Sequence, residues 1–179
     1  MDIKVFHKDN NTPYEEIVEL IHESFKERID AGLNFGCATY NADEYKAHTK
    51  DGHILVAYNE GKVVGTVTLT AYSKFGIRYG QYEYLAVSSA VKRMGIGREL
   101  AKELKCLSKQ LKLAFALSDT AQEATSSIKF HISQGFKVIG NRHYEGRAYD
   151  SVFFILPINI LGKILCCYPI RVMLSLVTK

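Results

Sequence analysis

Residues 82–100 read YEYLAVSSAVKRMGIGREL. The apolar run Tyr84-Leu85-Ala86-Val87 gives way to a turn in which Gly95 and Gly97 stand two apart, with Lys92, Arg93 and Arg98 around them. A helical pattern follows at once. Leu100, Leu104, Leu107 and Leu111 fall on one face and predict a helix over about 95–112. A strand feeding a glycine turn feeding a helix exposes backbone N–H groups at the helix start, where about half a positive charge resides. Anions bind there, and glycine lets the backbone approach closely or adopt positive φ. The turn therefore reads either as a phosphate or pyrophosphate site over residues 92–98 or as a plain strand-to-helix connection. Two familiar phosphate loops do not fit. GxxxxGK[ST] is absent, and a dinucleotide GxGxxG would need a glycine where Leu100 stands.

Working outward, DIKVFH (2–7) alternates as a short strand. Thr12, Pro13 and Glu15 predict a capped helix start, with Ile17, Leu20, Ile21, Ser24, Phe25 and Ile29 at helical spacing and Gly32 as the stop. Asn41 is placed to cap a short helix running to about Thr49. Strands 53–59 and 62–72 flank Glu60-Gly61 and predict a hairpin. Residues 74–80 read as a loop, 81–87 and 113–118 as strands, and 126–134 as a helix stopped by Gly135. Strands at 136–140 and 149–156 enclose a polar loop. The order β-α-α-β-β-β-α-β-α-β-β favours one mixed sheet with helices on both faces, of the α/β (α+β) class.

Composition sets the bounds. The 179 residues suggest one domain with a short appendage, and 47% apolar with 23% charged residues is ordinary for a globular chain. The net charge of +4 is scattered, and neither a basic stripe nor an RNA-type aromatic motif points to nucleic acid. Cys37, Cys106, Cys166 and Cys167 show no metal spacing and read as free thiols of a reducing compartment; no metal is expected. The N-terminus lacks the apolar core of a signal peptide, so a cytoplasmic location is expected. The apolar stretch 164–177 is too short to span a bilayer and contains Pro169 and Arg171.

Lys92-Arg93-Met94-Gly95-Ile96-Gly97 resembles the [Q/R]xxGx[G/A] signature of the GNAT superfamily of acyl-CoA-dependent N-acyltransferases. YEYLAV resembles that family's central strand, SSIKFHISQGFKVIG its second signature, and GKVVGTVTL its strand pair. The likeness covers about residues 2–157, with 158–179 as an apolar C-terminal extension. Two departures stand out. Lys92 replaces the usual Gln or Arg, and Ala124 stands where many members carry Asn.

The resemblance implies a single, mostly antiparallel mixed sheet and transfer of an acetyl group from acetyl-CoA directly to an amine of a small molecule or protein. It implies a bulge in strand 81–87, splayed from its neighbour, with backbone groups of Leu85, Ala86 and Val87 on the pantetheine arm. The N–H groups of Arg93, Met94, Gly95, Ile96, Gly97 and Arg98, with Lys92, would hold the pyrophosphate, and Ser127 and Phe130 would add cofactor contacts. Glu83 takes the place of the general base. His131 stands where the family usually has a thiolate-protonating Tyr, with Tyr144 and Tyr149 as alternatives. Acceptor contacts fall to Phe35, Tyr40, Tyr72, Arg78, Arg142 and Tyr144, on segments expected to be loops. The other readings are O-acyl or longer-acyl transfer and a CoA-binding module without catalysis.

In the extension, Ile160, Leu161, Ile164 and Leu165 form one apolar helical face, and Val172, Met173, Leu176 and Val177 another after Pro169. They fit packing on the domain, on a second copy in a homodimer, or on a membrane surface aided by Lys163, Arg171 and Lys179.

Overall fold

The computed structural model describes residues 2–7 and 11–167. Seven strands lie in the order β1-β2-β3-β4-β5-β7-β6. They are β1 (Asp2–His7), β2 (Gly52–Asn59), β3 (Lys62–Lys74), β4 (Ile77–Val87), β5 (Phe115–Ala121), β6 (Lys137–His143) and β7 (Asp150–Pro157). The helices are α1 (Tyr14–Asp30), α2 (Ala42–His48), α3 (Ile96–Gln110), α4 (Thr125–Ser133) and α5 (Ile160–Leu165). The mixed, mostly antiparallel sheet and the element order are those expected. The chain forms two compact units, residues 1–70 with 82–104, and residues 71–81 with 105–179.

In the first unit β1, β2 and β3 are antiparallel neighbours. The period-2 alternation of a strand sends neighbouring residues to opposite faces. Ile54 and Val56 of β2 join Ile17, Val18, Leu20, Ile21 and Phe25 of α1, Tyr45 of α2 and Ala86 of β4 in one core. Ala57 and its partner Gly65 face the other way. A Cβ on Gly65 would lie 2.8 Å from Ile96 Cγ2 and 3.0 Å from Leu100 Cδ1, so α3 sits tight against that face. Helices thus cover both faces of this unit. Asn41 caps α2 as expected. Its side chain accepts from the Glu44 amide, and Glu44 returns the bond in a capping box. The Thr12 cap does not carry over: α1 starts at Tyr14 with Pro13 in the cap position, which has no side-chain oxygen to offer. Glu60 (φ 52°) and Gly61 (φ 78°) make the tight turn between β2 and β3.

In the second unit β5 pairs antiparallel with β7, and β7 with β6; Tyr79, Gly80 and Gln81 of β4 run parallel to Phe115, Ala116 and Leu117. The expected loop 74–80 is instead the tip of a hairpin. Phe75 (φ 51°) and Gly76 (φ 76°) turn the chain in two residues, and β4 begins at Ile77. The break placed at Gly80 fails because Gly80 is buried and paired with Ala116. Strand β6 likewise runs to His143, shortening the last loop. The sheet is again covered on both sides. His131 of α4 meets Ser118 and Phe154, whereas α5 delivers Leu165 and the following Cys166 to Phe115, Leu117 and Ile155.

Helix α5 is docked through its backbone. Asn159 caps it by accepting from the Gly162 amide at 2.9 Å, and the amides of Ile158 and Asn159 donate to the Ala114 carbonyl. A Cβ on Gly162 would lie 1.7 Å from that carbonyl oxygen. Its outer residues Ile160, Leu161 and Ile164 are exposed. The second apolar face, with Val172, Met173, Leu176 and Val177, lies outside the described residues, as do Arg171 and Lys179. No disulfide joins the four cysteines. No helix among the described residues is long and apolar enough to cross a membrane, and no group of three or more metal-ligating side chains gathers among them.

Replacing Gly162 with Ala forces α5 off β5, because the obstructing atom is backbone. The expected cost is about 1–3 kcal/mol of stability, the range of overpacking a tight contact. Equilibrium denaturation of the variant against wild type measures it; an unchanged midpoint would contradict the docking.

Candidate functional site

The chain leaves β4 through a short 3-10 turn, Ser89–Val91. Arg93 (φ 70°) and Gly95 (φ 83°) then adopt left-handed conformations before α3 begins at Ile96. Alternation of hand in consecutive residues turns successive N–H groups toward one concavity, an anion-binding nest. Some of these amides are used internally. Met94 donates to the Val91 carbonyl at 3.2 Å, and Arg98 and Glu99 to the Gly95 carbonyl at 2.9 and 3.1 Å. Among the described residues the amides of Arg93, Gly95, Ile96 and Gly97 have no such partner, as the first turn of a helix requires. Lys92, Arg93 and Arg98 are exposed beside them, and Met94 is 62% exposed. The Ile96 side chain is buried against Gly65, so what it offers the loop is its amide.

Just upstream, Tyr84 adopts φ 57° inside β4. A non-glycine residue in this region is uncommon, and one within a strand marks a bulge. Tyr84 falls in the strand where the resemblance places a bulge. Its ring packs edge-on against Tyr45 at 5.3 Å and Tyr40 at 6.4 Å. Burial, with Glu83 next in effect, pushes the Tyr84 phenol far above its usual range. Glu83, half-buried, precedes it. Tyr40, at the end of the segment between α1 and α2, also has its phenol pushed up, first by burial and then by Cys37 and Glu83. The Tyr40 ring stacks on His48 at 4.4 Å. Phe35 packs edge-on against Phe25 at 5.2 Å, with Arg28 over its face, and belongs to the wall of this core. Ala86 is buried in the core, and the Val87 carbonyl accepts from Ser24 Oγ at 3.1 Å.

The second unit carries the remaining expected residues. His131 is 7% exposed. Its Nδ1 lies 2.8 Å from the Ser127 carbonyl, which can only accept, so Nδ1 bears the proton. Nε2, 3.0 Å from Ser118 Oγ, is then the acceptor. The ring stacks on Phe154 at 4.6 Å. Burial lowers its pKa against smaller opposing effects from Ser127 and Asp119. Burial thus favours the neutral ring, whose Nδ1 proton is donated to the Ser127 carbonyl of its own helix. Ser127 and Phe130 are half-buried on the same helix, and Ala124 stands at its N-cap with no side-chain oxygen to offer. Tyr72 stacks on Tyr79, and Tyr79 on Phe115, each at 5.5 Å. Arg78 lies on β4 and Arg142 on β6, so neither is a loop residue as expected. Tyr144 is held between the guanidiniums of Arg142 and Arg147, at 4.9 and 4.8 Å. Tyr149 is buried under Arg147.

Residues 14–136, which contain the nest, the left-handed Tyr84, the first signature and most of the second, match the model of the Acetyltransferase (GNAT) family. The chain belongs to that family. Solved GNAT-fold structures agree on the architecture. One is yncA of Salmonella typhimurium, solved with its cofactor acetyl-CoA: 18% identity, 89% of this chain and 95% of that one, TM-score 0.69. Another is an aminoglycoside 6′-N-acetyltransferase complexed with coenzyme A: 16% identity, 89% and 98% covered, TM-score 0.64. A third is a ribosomal-protein-alanine N-acetyltransferase of Brucella melitensis: 21% identity, 86% and 99% covered, TM-score 0.65. No curated protein matched the chain at a significant level.

The first unit thus brings together Glu83, Leu85, Ala86, Val87, the loop 92–98, Phe35 and Tyr40, whereas Tyr72, Arg78, Ser127, Phe130, His131, Arg142 and Tyr144 belong to the second. Three residues escaped sequence reading. Tyr84 offered no signal, because nothing in YEYLAV marks a left-handed tyrosine. Ser24 was legible only as a member of the helical face of α1 and Glu23 not at all, yet Glu23 accepts from the Ser89 amide and hydroxyl and from the Ser88 hydroxyl. Only the long-range fold joins positions 65 and 66 apart.

The state of His131 has a consequence in pH. Its folded pKa lies below the ordinary 6.5. The unfolded chain therefore takes up a proton that the fold refuses, and this contribution, full above about pH 6.5, is lost as pH falls below it. Wild type should lose melting temperature more steeply than His131→Phe between pH 7.5 and 5.5. Parallel slopes would contradict the buried neutral assignment.

Proposed function

We propose that the protein is an N-acetyltransferase that uses acetyl-CoA and acts on a primary amine of a small molecule or protein. The observation that carries this reading is the row of unpartnered amides at Arg93, Gly95, Ile96 and Gly97, held in a cation-flanked nest within a GNAT-family chain. A diphosphate fits this donor set, because backbone N–H groups at a helix start match its oxygens and exposed cations add attraction. When bound, acetyl-CoA supplies the activated acyl group as a thioester.

Each residue then has a task. The four amides and Lys92, Arg93 and Arg98 hold the diphosphate. The backbone of Leu85, Ala86 and Val87, turned at the left-handed Tyr84, meets the amide-bearing arm as an added strand would. Glu83 accepts the proton that an alkylammonium must lose before its nitrogen can attack, since such amines are mostly protonated at neutral pH. Tyr40 and Phe35 wall the amine side of Glu83. His131 keeps α4 against its sheet rather than moving a proton, and the departing thiolate takes its proton from solvent.

The test is thiol release from acetyl-CoA against a panel of amines. On an accepted amine, Glu83→Gln should lower kcat by about 100-fold or more, the usual size of a general-base contribution, with the KM for acetyl-CoA within about threefold. His131→Gln, which can keep both hydrogen bonds, should stay within about fivefold. Turnover unaffected by Glu83→Gln would remove the base assignment. Acetyl-CoA binding without turnover on any amine would favour a CoA-binding module.

A further inference from the structure

Three consecutive residues of α1 reach into this neighbourhood. His22 Nε2 donates to the Tyr40 carbonyl at 3.0 Å. The Glu23 carboxylate accepts from the Ser89 amide at 3.0 Å, the Ser89 hydroxyl at 2.5 Å and the Ser88 hydroxyl at 3.3 Å. Ser24 Oγ donates to the Val87 carbonyl at 3.1 Å. Neighbouring helical residues point about 100° apart, so the triplet spans two segments, that of Tyr40 and the consecutive residues Val87, Ser88 and Ser89. The helix is anchored by Ile17, Leu20, Ile21 and Phe25, which are buried in the core, and Ser24 falls within their arc. The helix is therefore a fixed reference.

The segment it grips leads directly into the nest. Ser88 also donates its amide to the Val64 carbonyl at 2.9 Å, and its hydroxyl accepts from the Ala90 amide to start the turn Ser89–Val91. From Val87 to Lys92 the chain is thus held from β3, from α1 and from within, before Arg93 takes its left-handed conformation. Glu23 supplies the only charged partner among these bonds. Charge-assisted bonds of this kind are shorter and stronger than neutral ones. Glu23 is exposed, yet its carboxylate collects a backbone amide and two hydroxyls.

We propose that Glu23 is a positioning residue that sets the anion-binding loop by fixing Ser88 and Ser89, and so governs affinity for the diphosphate of coenzyme A without touching it. This rests on the acetyl-CoA reading given above. The sign of the effect separates it from simple electrostatics. A carboxylate near Lys92 and an anion site repels the ligand, so charge alone predicts tighter binding when Glu23 is removed. Loss of positioning predicts weaker binding.

The experiment is calorimetric titration of the full chain with acetyl-CoA and with S-acetylpantetheine, which lacks the nucleotide and diphosphate. Glu23→Ala should weaken acetyl-CoA about tenfold and leave S-acetylpantetheine within twofold. Glu23→Gln, whose amide oxygen still accepts from Ser89, should recover to within about threefold of wild type. Glu27→Ala, which removes the same charge one turn along α1, should leave acetyl-CoA binding within twofold. Acetyl-CoA affinity unchanged or raised in Glu23→Ala overturns the proposal. So does an equal loss for both ligands, which is the mark of a distorted helix, or an equal loss in Glu27→Ala, which is the mark of bulk charge. A wild type that binds no acetyl-CoA overturns the cofactor reading itself, and the role of Glu23 with it.

Discussion

The left-handed turn at Tyr84 is the constraint on which the rest of the site depends. A tyrosine in this conformation costs on the order of 1–3 kcal/mol and persists only where its surroundings over-determine it. Here they do. The ring is packed edge-on between Tyr40 and Tyr45, Tyr45 is fully buried with its hydroxyl on Thr68, and Ala86 lies in the core beneath α1. The left-handed residue interrupts the regular backbone conformation of β4. It places Glu83 before the turn and the backbone of Leu85 to Val87 after it, and the chain then runs straight into the nest.

The same economy appears at the loop. A helix start has unsatisfied amides by construction, and most proteins cover them with a capping side chain. In α2 and α5 this chain does so with Asn41 and Asn159. At α3 the corresponding position is a left-handed glycine, which has no side chain to accept the bonds. The contrast within one molecule gives the open amides at Arg93, Gly95, Ile96 and Gly97 their meaning. The polar side chains of α1 hold Val87, Ser88 and Ser89, which lead into that loop.

Much of this was legible in the sequence, and the reasons for the rest are physical. Local rules served where the determinants are local. The Asn41 capping box, the Glu60-Gly61 turn and the leucine face of α3 involve residues a few positions apart, and they formed as read. The two glycine-bearing signatures identified the family because each encodes a backbone requirement. Reading failed where tertiary packing outvoted local chemistry. Gly80 looked like a loop residue but is paired within the sheet. Pro13 displaced Thr12 from the cap of α1. The contacts of His131 with the Ser118 hydroxyl and the Ser127 carbonyl could not be read from its place in the family pattern. Glu23 was invisible because its partners lie more than 60 residues away.

The claim at the centre is that four specific amides receive the diphosphate. Amide resonances resolved by NMR, with and without coenzyme A, test it residue by residue. The account predicts large downfield shifts and slowed hydrogen exchange at Arg93, Gly95, Ile96 and Gly97, with Met94 and Arg98, already bonded within the chain, moving least. Saturable binding that leaves those four amides unmoved, or that shifts all six alike, would contradict it.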